Sequence, residues 1–335
     1  MHEALFYEKV DNYLKCSLCP HYCHILKGNV GACAVRKNVD NKLYTLVYGK
    51  AIAYHVDPIE KKPLFHFMPG SKIYSFATAG CNFKCDFCQN WDISQISKGE
   101  SGQIIGTYKP PKQIVKEALM YGCNSIAATY VEPTIFYEYA YDTFKEAKKH
   151  NLYTVFVSNG YINKKPIDKI QPYLDAINID LKSFSDEFYK NVCGGRLQPV
   201  LDSIKYYHKK GVWVEITTLI IPGENDSNAE LQKIAEFIAS VDINMPWHIS
   251  KFHPDYKMTN KAWTPLHTLH RAYKIGKKAG LKYIYVGNVI GNKYEHTYCP
   301  ECNNLLIKRW GFTIVENHIE NNKCRFCNAK IAGVF

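Results

Sequence analysis

Three cysteines, Cys81, Cys85 and Cys88, lie close together in the spacing Cys-x3-Cys-x2-Cys. Structural zinc sites normally use four protein ligands, and disulfide frameworks need an even number of thiols. Three thiolates on one loop suit a [4Fe-4S] cluster in which one iron has no protein ligand, and a second molecule can bind and react at that iron. The spacing therefore predicts a catalytic iron–sulfur cluster, with a zinc knuckle as the alternative.

A second group of cysteines lies near the end of the sequence. Cys299 and Cys302 form one Cys-x2-Cys pair, and Cys324 and Cys327 form another. Two such pairs can supply four thiolates in a tetrahedral arrangement, so we predict a structural zinc ribbon, with a rubredoxin-like iron or a further cluster as the alternative. Few residues separate the pairs, and folding of this module should therefore depend on the metal.

The third group is near the start of the chain, in the spacing Cys-x2-Cys-x3-Cys-x9-Cys. It comprises Cys16, Cys19, Cys23 and Cys33. Four thiolates with uneven spacing fit zinc or an auxiliary [4Fe-4S] cluster, and zinc is favoured. The remaining cysteines, Cys123 and Cys193, stand alone and are expected to be buried as small hydrophobic residues.

Composition limits the possible settings of this chemistry. The chain has 335 residues, 46% of them hydrophobic, which is enough for one large domain with small appendages. No apolar run approaches the length of a membrane span, and no export signal is evident, so the clustered cysteines, eleven of the thirteen, predict metal ligands in a reducing cytoplasm. The net charge of +11 fits lysine-rich outer helices better than a nucleic-acid groove, because aromatic residues do not alternate with basic runs.

Apolar segments alternate with helical patterns through the middle of the chain. Predicted strands are 73–78, 125–130, 153–158, 176–182, 212–219, 247–252 and 282–286; predicted helices include 111–121, 134–150, 228–241 and 265–279. This alternation indicates a parallel sheet, and the expected fold is α/β, a partial (β/α)6 barrel, with a doubly wound open sheet as the alternative. We predict a Cys-rich head and connecting loop at 1–70, the barrel at 71–290 and the zinc ribbon at 291–335.

Polar residues follow several of these strands, where barrel enzymes place their sites. They are Glu132, Ser158, Asn159, Asp180, Lys182 and His253, with Glu215 and Thr217 as weaker candidates. A carboxylate can hold an ammonium group, and a Ser-Asn pair can bind a ribose or a carboxylate. The alternatives are a helix-start charge for Glu132, an exposed ion pair for Asp180 with Lys182, and a structural role for His253.

The cluster loop, with Phe87 before its third cysteine, resembles the radical S-adenosylmethionine (radical SAM) signature Cys-x3-Cys-x-aromatic-Cys. The resemblance implies that SAM binds the open iron and is cleaved to a 5'-deoxyadenosyl radical, with Phe87 near the adenine. Radical SAM enzymes usually have Gly-Gly-Glu-Pro after the second strand; here Tyr130 and Val131 replace the glycines, while Glu132 remains to contact the SAM amino group.

Residues at further strand ends resemble the matching stretches of glycyl-radical-enzyme activases. Their matching stretches place Asp180, Lys182 and His253 near SAM, and Ser158-Asn159 matches the Ser/Thr-Asn-Gly turn. Activases have an aspartate immediately before that turn, whereas this chain has Val157. A cation site built on that aspartate is therefore expected to be absent or altered.

Almost the whole chain resembles the radical SAM member of the AmmeMemoRadiSam system. The shared pieces include the Cys-x2-Cys-Pro head, the stretch Asp57-Pro-Ile-Glu-Lys-Lys-Pro and the C-terminal cysteines. The resemblance implies partners of the Memo and AMMECR types, and a flavodoxin- or ferredoxin-type electron donor.

The leading hypothesis is a SAM-cleaving oxidoreductase-type enzyme that abstracts hydrogen from a protein, RNA or small-molecule substrate. The alternatives are an activase of the pyruvate formate-lyase type and a non-catalytic iron–sulfur or zinc scaffold for RNA or a protein partner.

Overall fold

A mainly parallel sheet forms the centre of the computed structural model, which describes residues 1–99 and 102–335. Its strands, labelled β1–β8, are Ala53–Pro58, Lys72–Ala77, Ser125–Ala128, Tyr153–Ser158, Ala176–Asp180, Trp213–Ile220, Trp247–Lys251 and Ile284–Gly287. They lie in sequential order across the sheet, and each neighbouring pair from β2 to β8 is parallel. The predicted α/β fold with a parallel sheet is confirmed.

Helices connect the consecutive parallel strands. The six main helices, labelled α1–α6, are Pro111–Met120, Tyr137–Lys148, Lys164–Ile170, Leu197–Lys209, Asn228–Val241 and Leu266–Lys278. Helix α5 shows why such a segment forms here: the Ser227 hydroxyl accepts a hydrogen bond from the Glu230 amide at its start. Its buried residues Leu231, Ile234 and Ile238 recur at helical spacing and pack on the sheet.

Strand β1 differs from the sequence analysis, which placed this segment in the connecting loop of residues 1–70. Ala53–Pro58 pairs antiparallel with β2, from Ala53 opposite Ala77 to Pro58 opposite Lys72. The prolines of this segment indicated a loop, but Pro58 lies at the strand end and interrupts nothing. The segment is thus the edge strand of the central sheet.

Small sheets precede and follow the main sheet in the sequence. The head contains His2–Glu3, Tyr7–Val10, Tyr13–Cys16, His24–Leu26, Arg36–Val39 and Lys42–Thr45, while Lys50–Ala51 pairs with Thr107–Tyr108. The C-terminal strands are Thr297–Tyr298, Leu305–Trp310, Thr313–Asn317, Ile319–Glu320 and Lys323–Cys324. Short helical turns are Ile59–Lys61, Trp91–Ser94, Ile96–Lys98, Pro133–Phe136, Gln171–Tyr173, Asp186–Phe188, Tyr189–Cys193 and Lys293–Glu295.

The C-terminal strands share a hydrophobic core with the main sheet. Buried Leu306 and Ile307 pack in one cluster with Phe65 and Tyr285. Arg309, 1% exposed, donates a 3.0 Å hydrogen bond to the Phe65 carbonyl and lies over its ring. Phe65 lies before β2, towards the amino end of the parallel strands. The C-terminal strands therefore cover the end of the sheet opposite the cysteine loop, which follows β2.

Candidate active site and metal centres

The cysteine loop begins directly after β2, at the carboxyl end of the parallel sheet. Gly80 opens it with a φ of +102°, which L side chains rarely adopt. A Cβ atom on Gly80 would lie 2.7 Å from Val35 Cγ1 and 3.2 Å from the Cys33 carbonyl. Glycine is therefore required where the loop passes against the head.

Each loop thiol has a polar neighbour. The Phe83 amide donates to Cys81 Sγ over 3.4 Å, and Ser94 Oγ lies 3.3 Å from Cys88 Sγ. The neighbouring Cys193 thiol, together with burial, raises the pKa of Cys85 well above its usual value. Such contacts tune iron–sulfur clusters when they reach ligand sulfurs.

The spacing of the loop thiols does not match a site for one ion. Among the described residues, only the C-terminal cysteines bring three or more ligand atoms within 4.8 Å of one another. In a cubane each thiolate binds a different iron, so the sulfurs lie farther apart than around a single zinc. The three loop thiols fit a [4Fe-4S] cluster in number and chemistry.

Glu132 connects the turns that follow β3 and β4. Its Oε1 accepts hydrogen bonds from the Thr134 amide and hydroxyl, at 3.0 and 2.6 Å, and from Ser158 Oγ at 2.8 Å. Its Oε2 accepts one bond from the Asn159 amide at 2.7 Å. Burial raises the pKa of Glu132 although these bonds lower it. The carboxylate thus caps the turn at Pro133 and retains acceptor capacity on Oε2.

The turn after β4 is joined to the cysteine loop by amide side chains. Asn159 Nδ2 donates to Asn82 Oδ1 over 2.8 Å, and Asn82 Nδ2 donates to the Tyr161 carbonyl over 3.0 Å. Asn82 was not among the predicted site residues, because an asparagine beside a cysteine has no distinctive sequence signal. It is the link that brings the predicted residues Ser158 and Asn159 to the loop.

Tyr130 replaces a glycine of the usual motif yet keeps a left-handed backbone, with φ of +63°. Its hydroxyl donates to Asp57 Oδ2 over 2.5 Å, and Lys62 Nζ lies 2.7 Å from the same oxygen and over the Tyr130 ring. Burial lowers the pKa of Lys62 to about 8, against the raising effect of Asp57. The Asp57-Pro-Ile-Glu-Lys-Lys-Pro stretch therefore supports the Tyr130 side chain, while the Tyr130 carbonyl accepts a bond from Asn90 Nδ2.

The Asp180–Lys182 pair lies beside Phe87 of the cysteine loop. Lys182 Nζ is 2.9 Å from Asp180 Oδ2 and 5.5 Å from the centre of the Phe87 ring. Burial lowers the pKa of Lys182, but Asp180 and the Cys85 thiol raise it further, so that its net pKa is above the usual value. The lysine side chain is 13% exposed and the Asp180 side chain 38%, so the pair is shielded from solvent on its lysine side only.

His253 lies at the edge of the same loop. Its Nδ1 is 3.3 Å from Gln89 Nε2, and its ring lies 5.5 Å from that of Trp263. The side chain is 39% exposed. Gln89 thus has a defined contact, which the sequence alone did not indicate.

Glu215 and Thr217 form hydrogen bonds that stabilise the fold. Glu215 is fully buried and accepts bonds from the Phe65 and His66 amides, Trp213 Nε1 and His248 Nε2. Thr217 Oγ1 donates to Asn178 Oδ1 over 2.9 Å. Glu215 has no free acceptor position comparable to that of Glu132.

The four C-terminal cysteines converge on one point. Cys299 Sγ lies 3.7 Å from Cys327 Sγ, and Cys302 Sγ lies 3.7 Å from Cys324 Sγ. Sulfurs bound tetrahedrally at the usual zinc distance are about 3.8 Å apart. The residues present therefore fit a single tetrahedral ion. The four head cysteines instead line a cavity beside the Thr134 turn.

Comparison with known proteins agrees with this geometry. Residues 76–238 match the model of the radical SAM superfamily. The chain is 44% identical to uncharacterized protein MJ0808 of Methanocaldococcus jannaschii, over 99% of both chains. It is 25% identical to the pyruvate formate-lyase 1-activating enzyme of Escherichia coli K12, over 50% of this chain and 69% of that enzyme.

The fold also resembles that of Streptococcus suis SuiB, whose crystal structure is bound to S-adenosylmethionine. The TM-score is 0.51 at 15% identity, over 69% of this chain and 53% of SuiB. None of the helices in residues 1–99 and 102–335 is long and apolar enough to span a membrane. The chain belongs to the radical SAM superfamily and is related to the activating enzymes of pyruvate formate-lyase.

Proposed function

We propose that this chain binds SAM at a [4Fe-4S] cluster held by Cys81, Cys85 and Cys88, and uses it to abstract hydrogen from a carbon of its substrate. When bound, the cluster would supply the electron that cleaves SAM to a 5'-deoxyadenosyl radical. The observation that carries this proposal is the junction at Asn82, which joins the three-thiol loop to the turns holding Ser158, Asn159 and Glu132.

The residues around the loop have distinct roles in this proposal. Glu132 Oε2 accepts a hydrogen bond from the SAM ammonium group. This oxygen has only one hydrogen-bond donor from the protein, whereas Oε1 has three. Asp180 and Lys182 hold SAM hydroxyl and carboxylate groups, and Phe87 lies against the adenine. Tyr130 supplies backbone polar groups from its left-handed conformation. His253 closes the exposed side through Gln89.

The finer architecture belongs to the same proposal. Strands β2–β7 and helices α1–α6 form a partial (β/α)6 barrel, extended by β8, whose carboxyl edge holds the site, and Cys299, Cys302, Cys324 and Cys327 bind a structural zinc ion in a ribbon. The 3.7 Å sulfur pairs support a single tetrahedral ion with four thiolates, and zinc is the usual ion at such structural sites.

The decisive experiment is reductive SAM cleavage by the anaerobically reconstituted chain. A one-electron donor of the flavodoxin or ferredoxin type, or dithionite, should give 5'-deoxyadenosine, measured by mass spectrometry. Deuterium transfer from a co-purified candidate substrate into 5'-deoxyadenosine would then identify the substrate. A non-catalytic scaffold for RNA or a protein partner would give no 5'-deoxyadenosine at all.

A glycyl-radical activase is the second candidate function, favoured by the similarity to the Escherichia coli activating enzyme. Its substrate would be a glycine in a partner enzyme, and deuterium from that glycine would appear in 5'-deoxyadenosine. Partners of the Memo and AMMECR types are the candidates under the AmmeMemoRadiSam hypothesis. Label transfer from one of these proteins would favour that assignment over a pyruvate formate-lyase type.

A further inference from the structure

The four cysteines of the head line a single cavity. Cys16, Cys19, Cys23 and Cys33 face it together with Leu18, Ile25, Arg36 and Thr134. Cys16 and Cys33 are buried, at 6% and 8% exposure. The surrounding side chains are mainly apolar, so thiolates here would be shielded from water.

The head thiols are not arranged around one ion. In the part of the chain that the structure describes, no three of them lie within 4.8 Å of one another, whereas the four C-terminal sulfurs do. Both quartets belong to the same molecule, so the contrast is internal. Zinc with four thiolates needs sulfurs about 3.8 Å apart. Thiolates that each bind a separate iron of a cubane lie farther apart, as the head thiols do.

Arg36, one of the residues that line this cavity, has a buried donor atom without a partner in the described part of the chain. Arg36 is 2% exposed and forms an ion pair with Glu138, with Nη2 3.1 Å from Oε1. Its Nε has no hydrogen-bond partner among the described residues. An unpaired buried N–H group costs about 1–3 kcal/mol, and a sulfur acceptor in the cavity would remove that cost. The Ala32 amide already donates to Cys23 Sγ over 3.3 Å.

The cavity lies directly against the catalytic loop. His21, between Cys19 and Cys23 in sequence, places its Nε2 2.8 Å from the carbonyl of Asn82, the residue after Cys81. On the other side, Ser97 Oγ donates to the Cys33 carbonyl over 3.4 Å. The segments that carry the two sets of thiols are therefore in contact.

We propose that Cys16, Cys19, Cys23 and Cys33 hold a second [4Fe-4S] cluster beside the catalytic loop, in place of the zinc ion that was favoured from the sequence. The spread of the thiols and the unpaired Arg36 Nε carry this assignment together. The site has a full set of four protein ligands, so it has no open iron for SAM. It would be a one-electron centre adjacent to the residues that flank Cys81.

Metal analysis of a full-length triple variant, Cys81→Ala with Cys85→Ala and Cys88→Ala, tests this assignment. After anaerobic purification the variant should retain about four iron and four sulfide with about one zinc. Adding Cys16→Ala and Cys19→Ala should remove the iron and leave the zinc. An iron-free triple variant with about two zinc would overturn the proposal.

The parent chain provides a second measurement that does not depend on variant folding. With about eight iron per chain, reduction by dithionite should give two paramagnetic clusters whose electron paramagnetic resonance signals broaden each other. About four iron and one unbroadened signal in the parent, together with an iron-free triple variant, would contradict the proposal. Cys123→Ala, at a buried cysteine with no metal-ligand role, is the matched control and should keep both clusters. Neither readout requires SAM cleavage, so a failure of the proposed function would be seen separately.

Discussion

Asn159 Nδ2 donates a 2.8 Å hydrogen bond to Asn82 Oδ1 and thereby joins the turn after β4 to the cysteine loop after β2. The side-chain oxygen of Asn159 also accepts a 2.9 Å hydrogen bond from the Tyr161 amide. Both asparagines are buried, at 6% and 3% exposure. The bond therefore fixes the distance between the three thiols and the residues proposed to hold SAM.

Asn159→Ala should lower the free energy of unfolding by about 1–3 kcal/mol, because it removes two buried side-chain hydrogen bonds and leaves their partners unsatisfied. It should also raise the SAM concentration needed for half-maximal cleavage, with the iron content unchanged. Urea unfolding and cleavage kinetics would measure both. Asn228→Ala, at an exposed position on α5, is the control. Unchanged cleavage kinetics in Asn159→Ala would show that the hydrogen bond between Asn159 and Asn82 does not contribute to SAM binding.

Replacing Glu132 by alanine should weaken SAM binding by about 1.5–3 kcal/mol, or more than tenfold, with the cluster intact. The cause is loss of a carboxylate that holds an ammonium group. Glu132→Gln separates this role from capping, since its amide oxygen can still accept bonds from Thr134. Equilibrium binding by calorimetry would measure the affinity. Equal affinity in the parent and both variants would leave Glu132 with the capping role alone.

The pH dependence of SAM binding follows from the same residue. Burial raises the pKa of Glu132 above its usual value of 4.5, despite the hydrogen bonds it accepts. As the pH falls through this raised pKa the carboxylate is protonated and loses its attraction for an ammonium group. SAM affinity should therefore fall with decreasing pH in the parent and stay flat in Glu132→Gln. A parallel fall in the variant would place the titrating group elsewhere.

Cys193 is expected to influence the cluster at Cys85. It is fully buried beside that thiol and raises its pKa. Cys193→Ala removes a neighbour that disfavours negative charge on the Cys85 sulfur, so the reduction potential of the loop cluster should become less negative. A redox titration followed by electron paramagnetic resonance measures the shift, with Cys123→Ala as the control. A potential equal to that of the parent would return Cys193 to a packing role.

Cys302→Ala should remove about one zinc per chain and lower the melting temperature. Loss of the ion affects more than the C-terminal strands, because these share a core with Phe65 and Tyr285 of the main body. SAM cleavage should continue at least in part, since the module lies on the side of the sheet away from the cysteine loop. Freshly purified parent protein without zinc would contradict the ribbon assignment.

The sequence predicted the parts of the fold that have a strong local pattern. Strand β4 and helix α5 have the bounds that were expected, because apolar runs and caps mark them. Strand β1 was missed, since its pairing with β2 depends on a contact that short-range pattern does not encode. The bounds of helix α4 were not predicted; it has a proline in its first turn, where proline is tolerated.

The candidate site divides in the same way. The spacing of Cys81, Cys85 and Cys88 is local, and it predicted their grouping on one loop. The contacts of Asn82 with Asn159 and of Cys193 with Cys85 join residues that are 77 and 108 positions apart. No periodicity or motif specifies such pairs, and only the folded sheet brings them together.

The most direct test of the central claim compares SAM cleavage by the parent, Cys85→Ala and Cys123→Ala after anaerobic reconstitution with iron and sulfide. The parent and Cys123→Ala should produce 5'-deoxyadenosine, because all three loop thiols remain. Cys85→Ala should produce none, since a cluster ligand is lost. If Cys85→Ala cleaves SAM as fast as the parent, the cysteine loop is not the catalytic centre.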